Sequence, residues 1–118
     1  MSDALKTTFI IKINDSEKEV FMSFALLNTI TGYFENPEQL SEIFLNPQVR
    51  ESILVELLSE RNPTGRITKQ LNTSSLLIDP NDVLDLLEWV AEHVENFFTQ
   101  AFKKANQRLK AKMKAPNA

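Results

Sequence analysis

The longest unbroken rhythm of apolar and polar positions runs from Asp79 to about Lys110, and its period is that of a helix. At about 100° per residue, Val83, Leu86, Leu87, Val90, Val94, Phe97, Phe98 and Ala101 fall close to one line, while Asp85, Glu88, Glu92 and Glu95 lie mostly opposite. A stripe this broad has to be buried. Both ends are specified. Asp79 suits an N-cap, Pro80 suits the first helical position, and Ile78 with Val83 forms a hydrophobic staple. Lys103, Lys104, Arg108, Lys110, Lys112 and Lys114 gather at the other end, where the helix dipole favours cations.

Upstream, the period changes. Thr7 to Ile13 and Lys18 to Ser23 are rich in β-branched and aromatic residues, and the polar stretch Asn14 to Glu17 reads as a four-residue turn between two strands. Phe9, Ile11 and Ile13 share one face and Ile10 the other. Two strands are marginal alone, so helices cover the hairpin or its open edge pairs with another copy of the chain. Three short helices are then expected. The first is capped by Ser23 and closed by Gly32 at a C′ position, and the second starts at Asn36-Pro37 with Gln39 completing a capping box. The third starts at Asn46-Pro47 and spreads Val49, Ile53, Leu54, Leu57 and Leu58 over more than one face, which predicts a place in the middle of the bundle. From Arg61 to Leu77 the periodicity fails, and Asn62-Pro63-Thr64-Gly65 suits a type I turn in a long polar connection. After Ala111 no apolar face remains and the end is expected to fray. The whole reads as one α+β, predominantly α-helical domain over residues 1–118, with an ordered body at about 7–104: an N-terminal β-hairpin, then about four helices, the last one long.

Composition narrows the class. With 118 residues, 42% hydrophobic and 25% charged, the chain is ordinary globular material for one modest core. It has no cysteine, which removes disulfides and thiolate chemistry, and no apolar run approaching a membrane span. The expectation is a soluble, intracellular protein. Its net charge of −3 conceals an asymmetry: residues 1–95 carry 7 basic and 16 acidic side chains, net −9, whereas residues 96–118 carry 6 basic and none acidic.

Catalytic signatures are missing. His93 is the only histidine, Val90 stands where a helical di-iron site needs glutamate, and two glycines cannot build a dinucleotide or phosphate loop. Glu88 and Glu92 are four residues apart on the polar face, which a solvated surface explains better than acid/base chemistry. The reading is a non-enzyme without cofactor or metal. A binding protein remains. The basic end suits phosphates, so a small nucleic-acid-associated regulator is the alternative, but the acidic body and the lack of aromatic residues after Phe102 count against it. Trp89 lies about 120° from the centre of the apolar stripe with His93 beside it, so it either packs on another element or waits for a partner. Phe97, Phe98 and Phe102 follow in the next turns, and with Trp89 and His93 they form the candidate partner-binding set.

The order of features also resembles a family. FIIKINDSEKEVFMSF, ALLNTITGYF, the acidic helical middle, RNPTGRITKQLN, and DPNDVLDLLEWVAEHVENFFTQAF, spanning residues 7–104, are together similar to the tail assembly chaperones of long-tailed bacteriophages. The resemblance implies a small helical protein of the host cytoplasm that coats the tape measure protein, keeps it soluble, helps tail tube subunits gather around it, and is absent from the finished particle. It also implies self-association, which an open hairpin edge would serve.

Overall fold

A computed structural model describes residues 5–61, 64, 66–69 and 77–114. Strand β1 (Thr8–Ile13) pairs antiparallel with β2 (Ser16–Phe21), and α1 (Phe24–Thr31) follows directly. A 3₁₀ turn (Pro37–Ser41), α2 (Glu42–Leu45) and α3 (Pro47–Leu58) form the middle. A second small sheet, β3 (Glu60–Arg61) with β4 (Ile67–Lys69), precedes the long α4 (Pro80–Lys114). The architecture is the expected α+β one, predominantly helical, with the hairpin first and the long helix last.

The hairpin turn has two residues, not four. Asn14 and Asp15 take left-handed φ values of 50° and 66°, and this is the turn whose twist matches that of the flanking strands. Asn and Asp tolerate that region better than other side chains because they bond locally. The second strand therefore starts at Ser16, two residues earlier than its composition suggested. Register puts Phe9 opposite Val20 and Ile11 opposite Lys18 on the inner face, with Ile10 opposite Glu19 and Thr8 opposite Phe21 outside.

Capping follows the local chemistry. Ser23 accepts from the Leu26 amide at 3.1 Å, Asn46 from those of Gln48 and Val49 at 2.9 and 3.3 Å, and Asp79 from that of Asn81 at 2.7 Å. Asn36 accepts from the Glu38 amide at 3.0 Å, while Gln39 reaches back to the Glu35 amide at 2.8 Å. That segment tightens into the 3₁₀ turn before α2, so the single helix expected from Asn36 to Leu45 is two pieces. Gly32 differs from its expected role as well. Its φ is −65°, and α1 ends through tight bonds from Tyr33 to Ile30 and from Phe34 to Thr31.

One core joins these elements. Ile11, Val20 and Met22 of the hairpin region, Leu26, Ile30 and Phe34 around α1, Leu40 and Ile43, Ile53 and Leu57 of α3, and Leu86, Leu87, Val90 and Val94 of α4 are buried together. Helix α3 packs on α1 and α2, and α4 packs on β1, α1, α2 and the 3₁₀ turn. Elements α1 and α2 are thus the ones that meet both long helices, and α3 lies to one side with Val49, Leu54 and Val55 only half-buried, instead of at the centre. The turn expected at Asn62-Pro63-Thr64-Gly65 lies outside the described residues except for Thr64, as do residues 70–76 and 115–118.

Candidate functional site

The aromatic set on α4 divides into an inner and an outer part. Trp89 is only 7% exposed. Its indole Nε1 donates to the Lys6 carbonyl at 2.8 Å, and His93 Nε2 stands 2.7 Å from the same oxygen. A carbonyl can only accept, so the His93 bond places its proton on Nε2. The two rings meet edge to face with centroids 5.0 Å apart, and Phe9 lies 5.6 Å from Trp89 on the other side. The residues before β1 are clamped to the flank of α4 by this arrangement. Of the two roles open to Trp89, internal packing is the one realised, because main chain and Phe9 already cover the ring that a partner would need. Beside it, Leu5, Lys6, Thr8, Phe9, Ile10, Asp85, Trp89 and Glu92 line an open depression.

The outer part is exposed. Phe97 and Phe98 are half-buried at the edge of the body, and every residue from Thr99 to Lys112 is exposed. Helix α4 would be about 52 Å long at 1.5 Å per residue, and the molecule measures 64 × 30 × 29 Å, so the end of α4 leaves the body as an arm. The arm keeps an apolar line. Phe98, Phe102, Ala105 and Leu109 follow one another at spacings of four, three and four residues, with Phe102 52% and Leu109 57% exposed. The rings of Phe98 and Phe102 lie nearly parallel, 6.1 Å apart. Lys103, Lys104 and Lys110 project away from that line by helical geometry. At the base of the arm, Leu40, Ser41, Phe44, Glu88, Ala91, Glu92 and Glu95 line a shallow groove whose acidic rim is contributed by α4.

Other chemistry is sparse. No group of three or more His, Cys, Asp or Glu able to hold a metal occurs among the described residues, and no helix among them is long and apolar enough to cross a membrane. Tyr33 donates to Glu56 Oε2 at 3.3 Å, and burial, the carboxylate charge and this bond together hold its phenol above the usual value. The structure thus brings Trp89 and His93 together against Lys6, sets Phe98 beside Phe102 further along α4, and leaves Phe102 as the most exposed of the candidate aromatics. The Lys6 carbonyl has no signature in the sequence, and the groove beside α2 has only the row Glu88, Glu92, Glu95. Comparison with protein-family models, with curated proteins and with solved structures yields no match in any of the three.

Proposed function

We propose that this protein is a tail assembly chaperone of a long-tailed bacteriophage, acting in the host cytoplasm to bind the tape measure protein, hold it soluble and help recruit tail tube subunits. The reading starts from the sequence resemblance over residues 7–104. The structural observation that supports it is the arm: half-buried Phe98 leads into exposed Phe102, Ala105 and Leu109 in one line, on the helix whose first part is the most telling piece of the resemblance. An uncovered apolar face of this kind is normally an interaction site. A client helix with apolar positions at the matching spacing would lie along it, main-chain bonds satisfied within each helix and side chains interdigitating between them. Arg108 and Lys112, which stand nearest the apolar line, favour a client with acidic flanks, and the outward lysines keep the free protein soluble. Chemistry requires no cofactor in this scheme. Contact between copies through the free edge of the hairpin belongs to the same reading, with Phe21 58% exposed beside that edge.

Co-expression tests it. The reading expects a tape measure gene immediately downstream, and its product should stay in the soluble fraction with the unaltered chain and sediment when Phe102→Asp and Leu109→Asp are introduced together. Both positions are exposed in the single chain, so at a concentration where copies are unpaired the variant is expected to unfold with an unchanged midpoint. A client that is equally soluble with the variant, or insoluble with both, refutes the proposal.

A further inference from the structure

We infer that the arm of α4 pairs with the arm of a second copy as an antiparallel two-helix seam, and that the basic tip of each arm reaches the acidic groove of the other copy. The carrying observation is the order of residues along the exposed line. Glu95, Phe98, Phe102, Ala105, Leu109 and Lys112 recur at alternating spacings of three and four, the heptad pattern of a coiled-coil seam. The line is apolar in the middle, with an acid at one end and a base at the other. Two such lines laid antiparallel and centred between Lys103 and Lys104 put Glu95 opposite Lys112, Phe98 opposite Leu109, and Phe102 opposite Ala105, with the same pairs repeated by the twofold axis. Large side chains meet small ones or aliphatic ones, and each terminal charge meets its opposite. The overlap is about 26 Å long at helical rise.

The seam suits a copy of this chain better than a polyanion or a lipid surface. Glu95 would repel both, and Lys103, Lys104 and Lys110 point away from the apolar line instead of flanking it on the same side. Of the cations between Lys103 and Lys112, only Lys112 and Arg108 approach the seam, and in this register each Arg108 is about 13 Å from its symmetry mate along the axis. The two arms still repel each other through their outward lysines, and the groove offsets this. In the same register Lys112 and Lys114 of one arm fall opposite positions 95 and 93 of the other, at the end of the groove where Glu92 and Glu95 are exposed. The end of the basic segment thus meets the acidic side of the body, while Lys103 and Lys104 stay at the centre of the overlap.

The second copy and the proposed client would take the same apolar line, so the seam is the form of the chain without a client and opens when one binds; the test below therefore contains no client, and its outcome is independent of client capture. Because the chain has no cysteine, Glu95→Cys and Lys112→Cys proteins can be made separately and mixed under mild oxidation. Both sites are exposed, so both variants are expected to keep the far-ultraviolet spectrum of the unaltered chain. A disulfide-linked dimer in the mixture, and in neither protein alone, is the expected result, since identical positions lie about 25 Å apart along an antiparallel seam. Cross-linking within either single sample indicates parallel arms and overturns it. So does sedimentation of the unaltered full chain as a monomer up to on the order of 100 μM. Introduced into both cysteine proteins, Phe102→Asp is expected to abolish the cross-link between positions 95 and 112 whatever contact the hairpin edge makes, and a cross-link that survives it overturns the seam. Tight binding of phosphatidylglycerol vesicles or heparin by a monomeric chain, lost in Phe102→Asp, would give the arm to another occupant.

Discussion

Replacing Trp89 by alanine tests how the fold is closed. The indole is 7% exposed, packs on Phe9 and His93, and donates to Lys6, so truncation removes a buried large aromatic together with one hydrogen bond. Cavity-forming changes of this size cost about 3 to 5 kcal/mol. The lost bond is part of that figure, because His93 still occupies the Lys6 carbonyl. With a urea dependence of about 1.5 kcal/mol per molar, such a loss lowers the unfolding midpoint by about 2 to 3 M. Against a typical total stability of about 5 to 15 kcal/mol, the variant is left marginal. Since Trp89 is the only tryptophan, unfolding has to be followed by far-ultraviolet circular dichroism. Trp89→Phe separates the contributions: it keeps most of the packing, loses the donor, and is expected to cost about 1 kcal/mol beyond a small volume change. A midpoint shift below about 0.5 M for Trp89→Ala would refute the clamp, because no buried aromatic is removed that cheaply.

Three further outcomes follow from the same geometry. At a concentration low enough for the arms to be unpaired, Phe102→Ala is expected to change stability by less than about 0.5 kcal/mol in the same denaturation experiment, in contrast to Trp89→Ala. Asp15→Val forces a β-branched side chain into a φ of 66° and is expected to destabilise by about 1 to 2 kcal/mol, whereas Asp15→Gly is expected to be neutral or stabilising, both read from thermal midpoints. Deleting residues 111–118 is expected to leave cooperative unfolding unchanged within about 0.5 kcal/mol, because Ala111 and Lys112 are exposed and the core residues of α4 end at Val94.

What could be read from the sequence was local. Ser23, Asn46 and Asp79 cap helices because a short side-chain acceptor followed by a helical run satisfies amides two or three residues away, and nothing distant is involved. The inner face of β1 was equally legible, since Phe9, Ile11 and Ile13 alternate with Ile10 and Lys12. The hairpin turn reads as four residues because Asn14 to Glu17 is polar throughout, and polarity alone does not separate two residues with positive φ from the first pair of a strand. Pairing of β3 with β4 had no apolar alternation to announce it, being a main-chain contact within a polar segment. The partner of Trp89 was hidden for a different reason. A carbonyl acceptor 83 residues away carries no side-chain signature, so position 6 looks like any other lysine. For the arm, apolar spacing was visible through Ala101, but where the body stops covering it depends on the placement of the 3₁₀ turn and α2, which only the fold determines.

The arm also depends on the body for being a helix at all. Isolated helices shorter than about 12 to 15 residues are marginal in water because the first turn is costly to nucleate. Here that cost is met upstream, where Leu86, Leu87, Val90 and Val94 fix α4 in the core, and the exposed segment only propagates from it. Propagation is favourable, since Gln100 to Lys112 consists largely of Ala, Lys, Gln, Arg and Leu, which are strong helix formers. A partner therefore meets a face already in its bound conformation and does not bear the ordering entropy of folding it. Gln100→Pro interrupts this transmission at an exposed position beyond the core, at a local cost of about 3 kcal/mol. The expected result is a loss of helical signal confined to the residues after position 100, with the urea midpoint of the body unchanged and both client capture and the cross-link between positions 95 and 112 abolished. Retained helical signal, or loss of the body's cooperative transition along with it, would show that arm and body do not stand in this relation.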